Sequence, residues 1–169
     1  MIMNRGFSLI EMLVYVAIIA IMTISIVGIL LALSDVYSRL AVVSRANSSG
    51  AAALDRIVRE IRGAESIDIV TSQFATSSGV LVLNTRTSGG SPTTVSFFVD
   101  ENGILQVEEG GAAAGRLTVA GVSVPELRFT RISGARSEMV VAELTLYVAY
   151  RRATTTKTFE SGAVLRGSY

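Results

Sequence analysis

Glu11 is the only charged side chain in the 27 residues from 7 to 33. A carboxylate near the bilayer interior costs about 2.5–3.5 kcal/mol, so such a residue marks function and needs a cationic partner. Cleavage between Gly6 and Phe7 would create an α-amino group four positions before Glu11, on the same helical face. A neighbouring chain could supply the same cation. We therefore predict that Glu11 pairs with a positive N-terminus that exists only after processing.

Most catalytic chemistry is excluded by composition. The chain contains no histidine and no cysteine, which removes Ser-His-Asp and Cys-His catalysis, disulfides and the common zinc ligands. Glu108 and Glu109 are adjacent on a predicted strand, so they point to opposite faces and form no facing carboxylate pair. Lys157, the single lysine, lacks the glycines of a phosphate-binding loop, and residues 110–115 do not match a dinucleotide fingerprint. We predict that the protein is not an enzyme and has no cofactor, catalytic residue or metal ligand, although a Ser–Lys pair at Lys157 remains an alternative.

Two polar segments offer weaker binding alternatives. Asp100, Glu101 and Asn102 resemble calcium ligands by type, but their spacing favours the acidic tip of a hairpin. From residue 111 onward, eight basic and four acidic side chains give a net charge of +4. Nucleic-acid binding there would use Arg151 and Arg152 with stacking aromatics. A solvated surface is the favoured interpretation of both segments.

Residues 7–33 predict a membrane-spanning helix. They exceed the roughly 20 residues that a helix needs to cross the hydrocarbon layer, and backbone groups in lipid require a helix. Arg5 is the only charged residue before this segment, and the positive-inside rule places that end in the cytoplasm and the rest outside. A secretory signal peptide is the competing interpretation, but its apolar region is shorter and ends in a cleavage site that Ser25 and Ser34 match poorly.

An amphipathic pattern predicts that the helix continues to about Arg62 and packs one apolar stripe on its own sheet, with a coiled-coil partner as the alternative. The predicted stripe consists of Val36, Leu40, Val43, Leu54, Ile57 and Ile61, with Asn47 and Gly50 in line. Residues 47–50 are a plausible kink or break, and Gly63 is the expected C-cap.

From residue 67 onward, the period becomes strand-like. The predicted strands are 67–71, 80–85, 94–100, 103–108, 116–120, 126–132, 138–150 and 157–166, with residues 87–92 and 110–115 as loops. The Asn-Gly pair at 102–103 predicts a tight hairpin. In 138–150 the even positions predict a buried face that covers the helix. The fold class is therefore α+β, with a long N-terminal helix packed on an antiparallel β-sheet head.

Residues 6–11, Gly-Phe-Ser-Leu-Ile-Glu, resemble the class III signal of the type IV pilin family, which includes pilins and the pseudopilins of secretion and competence. The resemblance implies a pilin-like fold, cleavage after Gly6 by a prepilin peptidase, N-methylation of Phe7, and assembly through Glu11. It also implies three partners: other pilin or pseudopilin subunits, an inner-membrane assembly platform and the lipid bilayer. Two departures are the absence of the family's usual helix proline, whose place is taken by Gly28, and the absence of its cysteine pair.

The predicted organisation is a leader peptide at 1–6, a transmembrane assembly helix at 7–33, an amphipathic stem at 34–62 and a β-rich head at 63–169. The resemblance indicates a minor pilin or pseudopilin of a type IV pilus, a type II secretion system or a competence system. It would sit in the cytoplasmic membrane before entering the filament. Three alternatives remain: an anchored binding protein that does not polymerise, a secreted protein released near Ser34, and a DNA-binding tip subunit that uses Arg151 and Arg152.

Overall fold

A single helix dominates the computed structural model, which describes residues 8–134 and 137–165. Helix α1 runs from Leu9 to Gly63, 55 residues or about 83 Å at 1.5 Å per residue. It passes through residues 47–50 without a break, although these were the expected weak point. The expected glycine cap is wrong: Gly63 is the last helical residue, and Ala64, at φ −69°, is the C-cap that donates its N–H to Glu60 and Ile61.

The strands of the described residues form two antiparallel sheets whose strands lie in chain order. The five-stranded sheet contains β1 (Ser66–Ile67), β2 (Leu81–Arg86), β3 (Pro92–Val99), β4 (Leu105–Glu109) and β5 (Ala112–Arg116). The three-stranded sheet contains β6 (Val122–Ser133), β7 (Glu138–Tyr150) and β8 (Ala153–Val164). This arrangement confirms the α+β, pilin-like fold class.

The predicted strand at 116–120 is wrong beyond Arg116, and the predicted loop at 110–115 is right for the turn at 110–111 but wrong for 112–115, which belong to β5. Glu109 pairs with Ala112. Gly110 and Gly111 form the two-residue turn between them, with φ of 61° and 80°. Positive φ at both central positions is the geometry of a hairpin turn whose twist suits the flanking strands. Glycine makes that geometry accessible, so the glycine-rich segment ends one strand and starts the next.

The hairpin predicted at Asn102-Gly103 is confirmed, but its turn differs in detail. Only Gly103 has positive φ, at 71°, and its N–H bonds to the carbonyl of Asp100. The Asp100 carboxylate also accepts the backbone N–H groups of Asn102 and Ile104, each at 2.9 Å. This aspartate therefore organises the turn, as such side chains commonly do.

The face of α1 that packs on the three-stranded sheet is lined mainly by small residues from Ser38 to Ala53 and by larger apolar residues from Leu54 to Ile61. Its buried positions are Ser38, Val42, Ala46, Ser49, Gly50, Ala53, Leu54, Ile57 and Ile61. The stripe prediction is right for Gly50, Leu54, Ile57 and Ile61, but Val36, Leu40 and Val43 are exposed and so is Asn47. Small side chains let the sheet approach the helix backbone closely, whereas bulky ones here would hold it away.

Strand β7 forms the centre of the core. Its even positions from Val140 to Val148 are buried, as the alternation predicted, and Tyr150 is half-buried. They join the helix and the inner residues of the five-stranded sheet in one apolar cluster. Residues 75–79 extend the edge of β6, because Leu127 exchanges backbone hydrogen bonds with Ser77 and Gly79. The two sheets are thus connected, and the head is fixed to the second half of α1.

Candidate functional site

Glu11 lies in the first turn of α1 with an exposed side chain. Its backbone N–H bonds to the carbonyl of Ser8 at 3.0 Å, and the Tyr15 hydroxyl lies 3.5 Å from Oε1. Within the described residues no arginine or lysine forms an ion pair with it. The helix N-terminus carries partial positive charge, which favours an acid at this position. The carboxylate is therefore available to a cation from outside the described chain.

The helix surface around Glu11 has no protein cover. The best 18-residue window of α1 has a mean hydropathy of 2.9 and none of it is buried, which makes α1 long and apolar enough to cross a membrane. The hydroxyls of Thr23 and Ser25 donate to the carbonyls of Ile19 and Ile21 at 2.8 and 2.9 Å. Because these polar groups are satisfied within the helix, they add little cost to a lipid or helix contact.

This exposed apolar surface continues beyond residue 33. Val36, Tyr37, Leu40 and Val43 are exposed, with Leu40 at 61%. Sequence reasoning assigned three of them to the core because it followed the bulkiest residues. The signal for the correct face was the series Ser38, Val42, Ala46, Ser49, Gly50 and Ala53, in which all residues but Val42 are small and which follows the helical period. The stem thus separates a small face for its own sheet from a bulky apolar face that the head leaves uncovered.

Two of the predicted site residues, Gly6 and Phe7, lie outside the described residues. The cleavage bond and the future N-terminus therefore have no geometry here, and their roles remain predictions. Residue 7 stands four positions before Glu11 in the sequence, with Ser8 in extended conformation between it and the start of α1.

Arg151 and Arg152 form the turn between β7 and β8, and both are exposed. Arg151 has positive φ, at 54°. Together they line a shallow cleft with Leu31, Ser34 and Asp35 of α1. Leu31 is 20 residues after Glu11, which is about 30 Å along a helix. The structure therefore does not bring this arginine pair to the predicted assembly carboxylate.

The aromatic residue nearest the arginine pair is already engaged. Arg45 of α1 stacks over the Tyr150 ring with its guanidinium carbon 4.3 Å from the ring centre, and that of Arg151 lies at 5.5 Å. Stacking of this kind is worth about 0.5–1 kcal/mol at exposed sites. It ties the β7–β8 turn to the stem, and it competes with any base for the same ring.

Residues 100–102, which the sequence offered as alternative calcium ligands, form part of the hairpin turn. Besides the two N–H groups, Asp100 accepts a hydrogen bond from the Gln106 side chain at 2.9 Å. This bond, followed by the one from the Ile104 N–H, lowers the pKa of Asp100. Across residues 8–134 and 137–165, no group of three or more acidic side chains converges as metal ligands would. Asp100 thus has a structural role in the turn.

Residues 1–27 match the family model of the prokaryotic N-terminal methylation motif. The match spans Gly6, Phe7 and Glu11, and it confirms the recognition of a type IV pilin-like chain with a class III prepilin signal. Comparisons with curated proteins and with solved structures each gave no match. Motif and apolar helix together indicate a single-pass, membrane-anchored, type IV pilin-like precursor. They point to a structural subunit that a prepilin peptidase processes and that assembles with other pilins.

Proposed function

We propose that this chain is a minor pilin or pseudopilin, a structural subunit of a type IV pilus, a type II secretion pseudopilus or a competence pseudopilus. Prepilin peptidase cleaves it after Gly6 and methylates Phe7. The subunit waits in the cytoplasmic membrane, with its N-terminus on the cytoplasmic side and its head outside, and then enters the filament through α1. The inner-membrane assembly platform and neighbouring subunits are its partners.

One observation carries the proposal: an exposed carboxylate stands at the start of a helix whose apolar surface has no cover in its own chain. In a filament, neighbouring stems would cover that surface. Glu11 would then lie among apolar helices, where an unpaired charge is strongly unfavourable. Only an axial register that presents a neighbour's α-amino group to this carboxylate relieves that cost. The same charge therefore selects the correct register.

The bulky face beyond residue 33 supports the same function. A protein that only needed an anchor would gain nothing from exposing Val36, Leu40 and Val43 to water above the membrane. Exposed apolar surface of this extent is typical of interaction sites. In a bundle of parallel stems these residues would contact the next subunit, while the small face keeps its own head in place.

The test is mass spectrometry of the N-terminal peptide of protein purified from membranes of cells with prepilin peptidase. The proposal expects a mature chain that begins at N-methylated Phe7. A mature chain that retains Met1 would instead support an anchored binding protein that does not polymerise. A terminus near Ser34 would support release by ordinary signal peptidase. A matched Gly6→Leu variant, which changes only the residue before the scissile bond, should remain uncleaved.

A further inference from the structure

We propose that the β7–β8 turn docks on the anionic phospholipid head groups of the bilayer that holds α1, with Arg39, Arg151 and Arg152 as the phosphate-binding side chains. The proposal depends on the membrane anchor of the proposed function and adds a partner, anionic lipid, for a surface of the head. This surface is distinct from the assembly face around Glu11.

The position of the turn along α1 supports this assignment. One cleft brings Arg151 and Arg152 beside Leu31 and Ser34, and an adjoining cleft brings Arg152 beside Arg39. Leu31 belongs to the apolar segment, and Asp35 is the first charged residue after Glu11. The turn is therefore level with the point where the helix changes from lipid-compatible to polar.

The length of the apolar segment places that point at the head groups. The segment from 7 to 33 would be about 40 Å long as a helix, whereas the hydrocarbon layer is about 30 Å thick. A helix longer than the layer tilts or extends into the head-group region. In both cases residues 31–35 lie at the boundary between hydrocarbon and water, so side chains beside them reach lipid phosphates.

The charges of the surface suit an anion. Arg39, Arg151 and Arg152 face one acid, Asp35, in the two clefts. Within the described residues none of these three arginines takes part in an ion pair. Arginine presents a planar fork of donors that matches phosphate oxygens. Exposed basic side chains next to a membrane span are attracted to anionic lipid by about 1 kcal/mol each.

The turn is also held rigidly, which lowers the entropic cost of docking. The Tyr150 ring contacts the guanidinium groups of both Arg45 and Arg151. Strand β8 packs along α1, and Lys157 donates a hydrogen bond to Asn47 at 2.7 Å. Tyr37 is exposed on α1 near the same level, and tyrosines concentrate at membrane interfaces. Docking would orient the head over the membrane until the subunit is withdrawn into a filament.

The experiment uses the full chain in phospholipid vesicles. The natural sequence has no cysteine, so a fluorophore can be placed at one position by Thr154→Cys, next to the turn. Ser88→Cys is the matched control, because it lies beside Glu60 at the far end of α1. A nitroxide on the lipid head group quenches a fluorophore that approaches the membrane surface. Alkaline extraction establishes that α1 has inserted.

We expect stronger quenching at position 154 than at 88, and more of it in mixed phosphatidylglycerol/phosphatidylcholine vesicles than in pure phosphatidylcholine. High salt should reduce the difference. Each arginine removed should lower the ratio of docked to undocked head about fivefold, so that Arg151→Gln with Arg152→Gln lowers it roughly 25-fold. The matched charge control, Arg59→Gln with Arg62→Gln, should leave the ratio unchanged.

Equal quenching at the two positions, or no dependence on phosphatidylglycerol, would overturn the docking proposal while leaving the pilin assignment intact. Failure of α1 to insert would overturn the anchor on which both depend. Duplex DNA added to phosphatidylcholine vesicles tests the other class of ligand. If the chain retained DNA through Arg151 and Arg152 and showed no preference for anionic lipid, the pair would belong to a nucleic-acid site.

Discussion

The ring of Phe159, on β8, lies directly against the backbone of Gly50 in α1. A Cβ atom at position 50 would stand 2.6 Å from Cε2 of that ring, much closer than carbon atoms approach in proteins. Lys157, two residues earlier on the same strand, bonds to Asn47. The segment 47–50, with its poor helix formers, is therefore where β8 is fastened to the stem.

The contact predicts a non-additive response to Gly50→Ala. In an exposed helix this change stabilises by up to about 1 kcal/mol, because glycine is a poor helix former. Here the new methyl group displaces the Phe159 ring, so we expect net destabilisation. Once Phe159→Ala has removed the ring, Gly50→Ala should recover the stabilisation of about 1 kcal/mol. Thermal unfolding of the full chain in detergent, measured for all four members of the cycle, checks the coupling.

Gly63→Ala is the control for that cycle, since position 63 is helical and a Cβ there meets nothing within 4 Å. It should be neutral or stabilising with or without Phe159. If Gly50→Ala behaved in the same way in both backgrounds, the close contact would have no energetic consequence.

Substitutions on the buried and the exposed face of α1 should have different effects on stability. Ala46 is fully buried against the sheet, and Leu40 is exposed. Ala46→Leu should destabilise the chain by about 1–3 kcal/mol, because it inserts bulk where the layers are already in contact. Leu40→Ala should change the unfolding free energy by less than about 0.5 kcal/mol. The opposite order in detergent unfolding would mean that the predicted stripe, rather than the observed one, faces the head.

The packing face of α1 could not be predicted from the sequence, whereas several other features of the fold could. The helix length, the α+β class and the buried face of β7 followed from hydropathy and period, which are local properties. The choice of the helix face that packs on the sheet is a tertiary property. It depends on how closely the side chains let the sheet approach the helix. Val36, Leu40 and Val43 are more apolar than Ser38 and Ala46, yet the latter two are buried, because small side chains allow the sheet to approach the helix closely.

The residues of the candidate site also differ in how much the sequence reveals about them. Glu11 was identified from its charge in an apolar segment, and the match to the methylation motif spans it. The position of Arg151 and Arg152 beside Leu31 could not be predicted from any local pattern, because residue 151 lies more than a hundred positions after Leu31. Only the return of β7 along the stem places them together. Residues 112–115 were misassigned to a loop because a long glycine-rich loop and a two-residue hairpin turn with its flanking strand share the same composition.

The Asp100 turn predicts a stability loss in acid. Hydrogen bonds from Gln106 first, then from the N–H groups of Ile104 and Asn102, lower the pKa of Asp100 from its ordinary value of 3.8. A group with a depressed folded pKa stabilises the fold above its unfolded pKa, and that contribution disappears as the pH falls through the folded value. We expect Asp100→Asn to reduce the pH dependence of the melting temperature below about pH 4.

Glu101→Gln is the matched control for the acid experiment, because it removes a neighbouring carboxylate that accepts none of these hydrogen bonds. It should retain the acid response of the natural chain. Identical acid titrations of the natural chain and Asp100→Asn would show that the Asp100 carboxylate does not stabilise the fold and that backbone hydrogen bonds hold the turn.

The charge of Glu11 predicts a defect in assembly when it is removed. Glu11→Gln keeps the size of the side chain and one acceptor oxygen but removes its charge. Insertion, cleavage after Gly6 and methylation of Phe7 should continue, because the proposed role of the charge begins after processing. Entry into filaments should fall, since the α-amino group of the partner would lose its counter-ion among apolar helices. Loss of one member of a desolvated charge pair costs about 2 kcal/mol or more, or roughly thirtyfold in the equilibrium.

Tyr15→Phe is the matched control, because it changes the surroundings of Glu11 without changing its charge. It removes the hydroxyl 3.5 Å from Glu11 and keeps the carboxylate, so incorporation should remain close to that of the natural chain. Mass spectrometry of the N-terminal peptide measures processing, and the ratio of sheared filament to membrane fraction measures assembly. If Glu11→Gln assembled as well as Tyr15→Phe, the charge would not select the register, and apolar contact between stems would have to account for assembly without it.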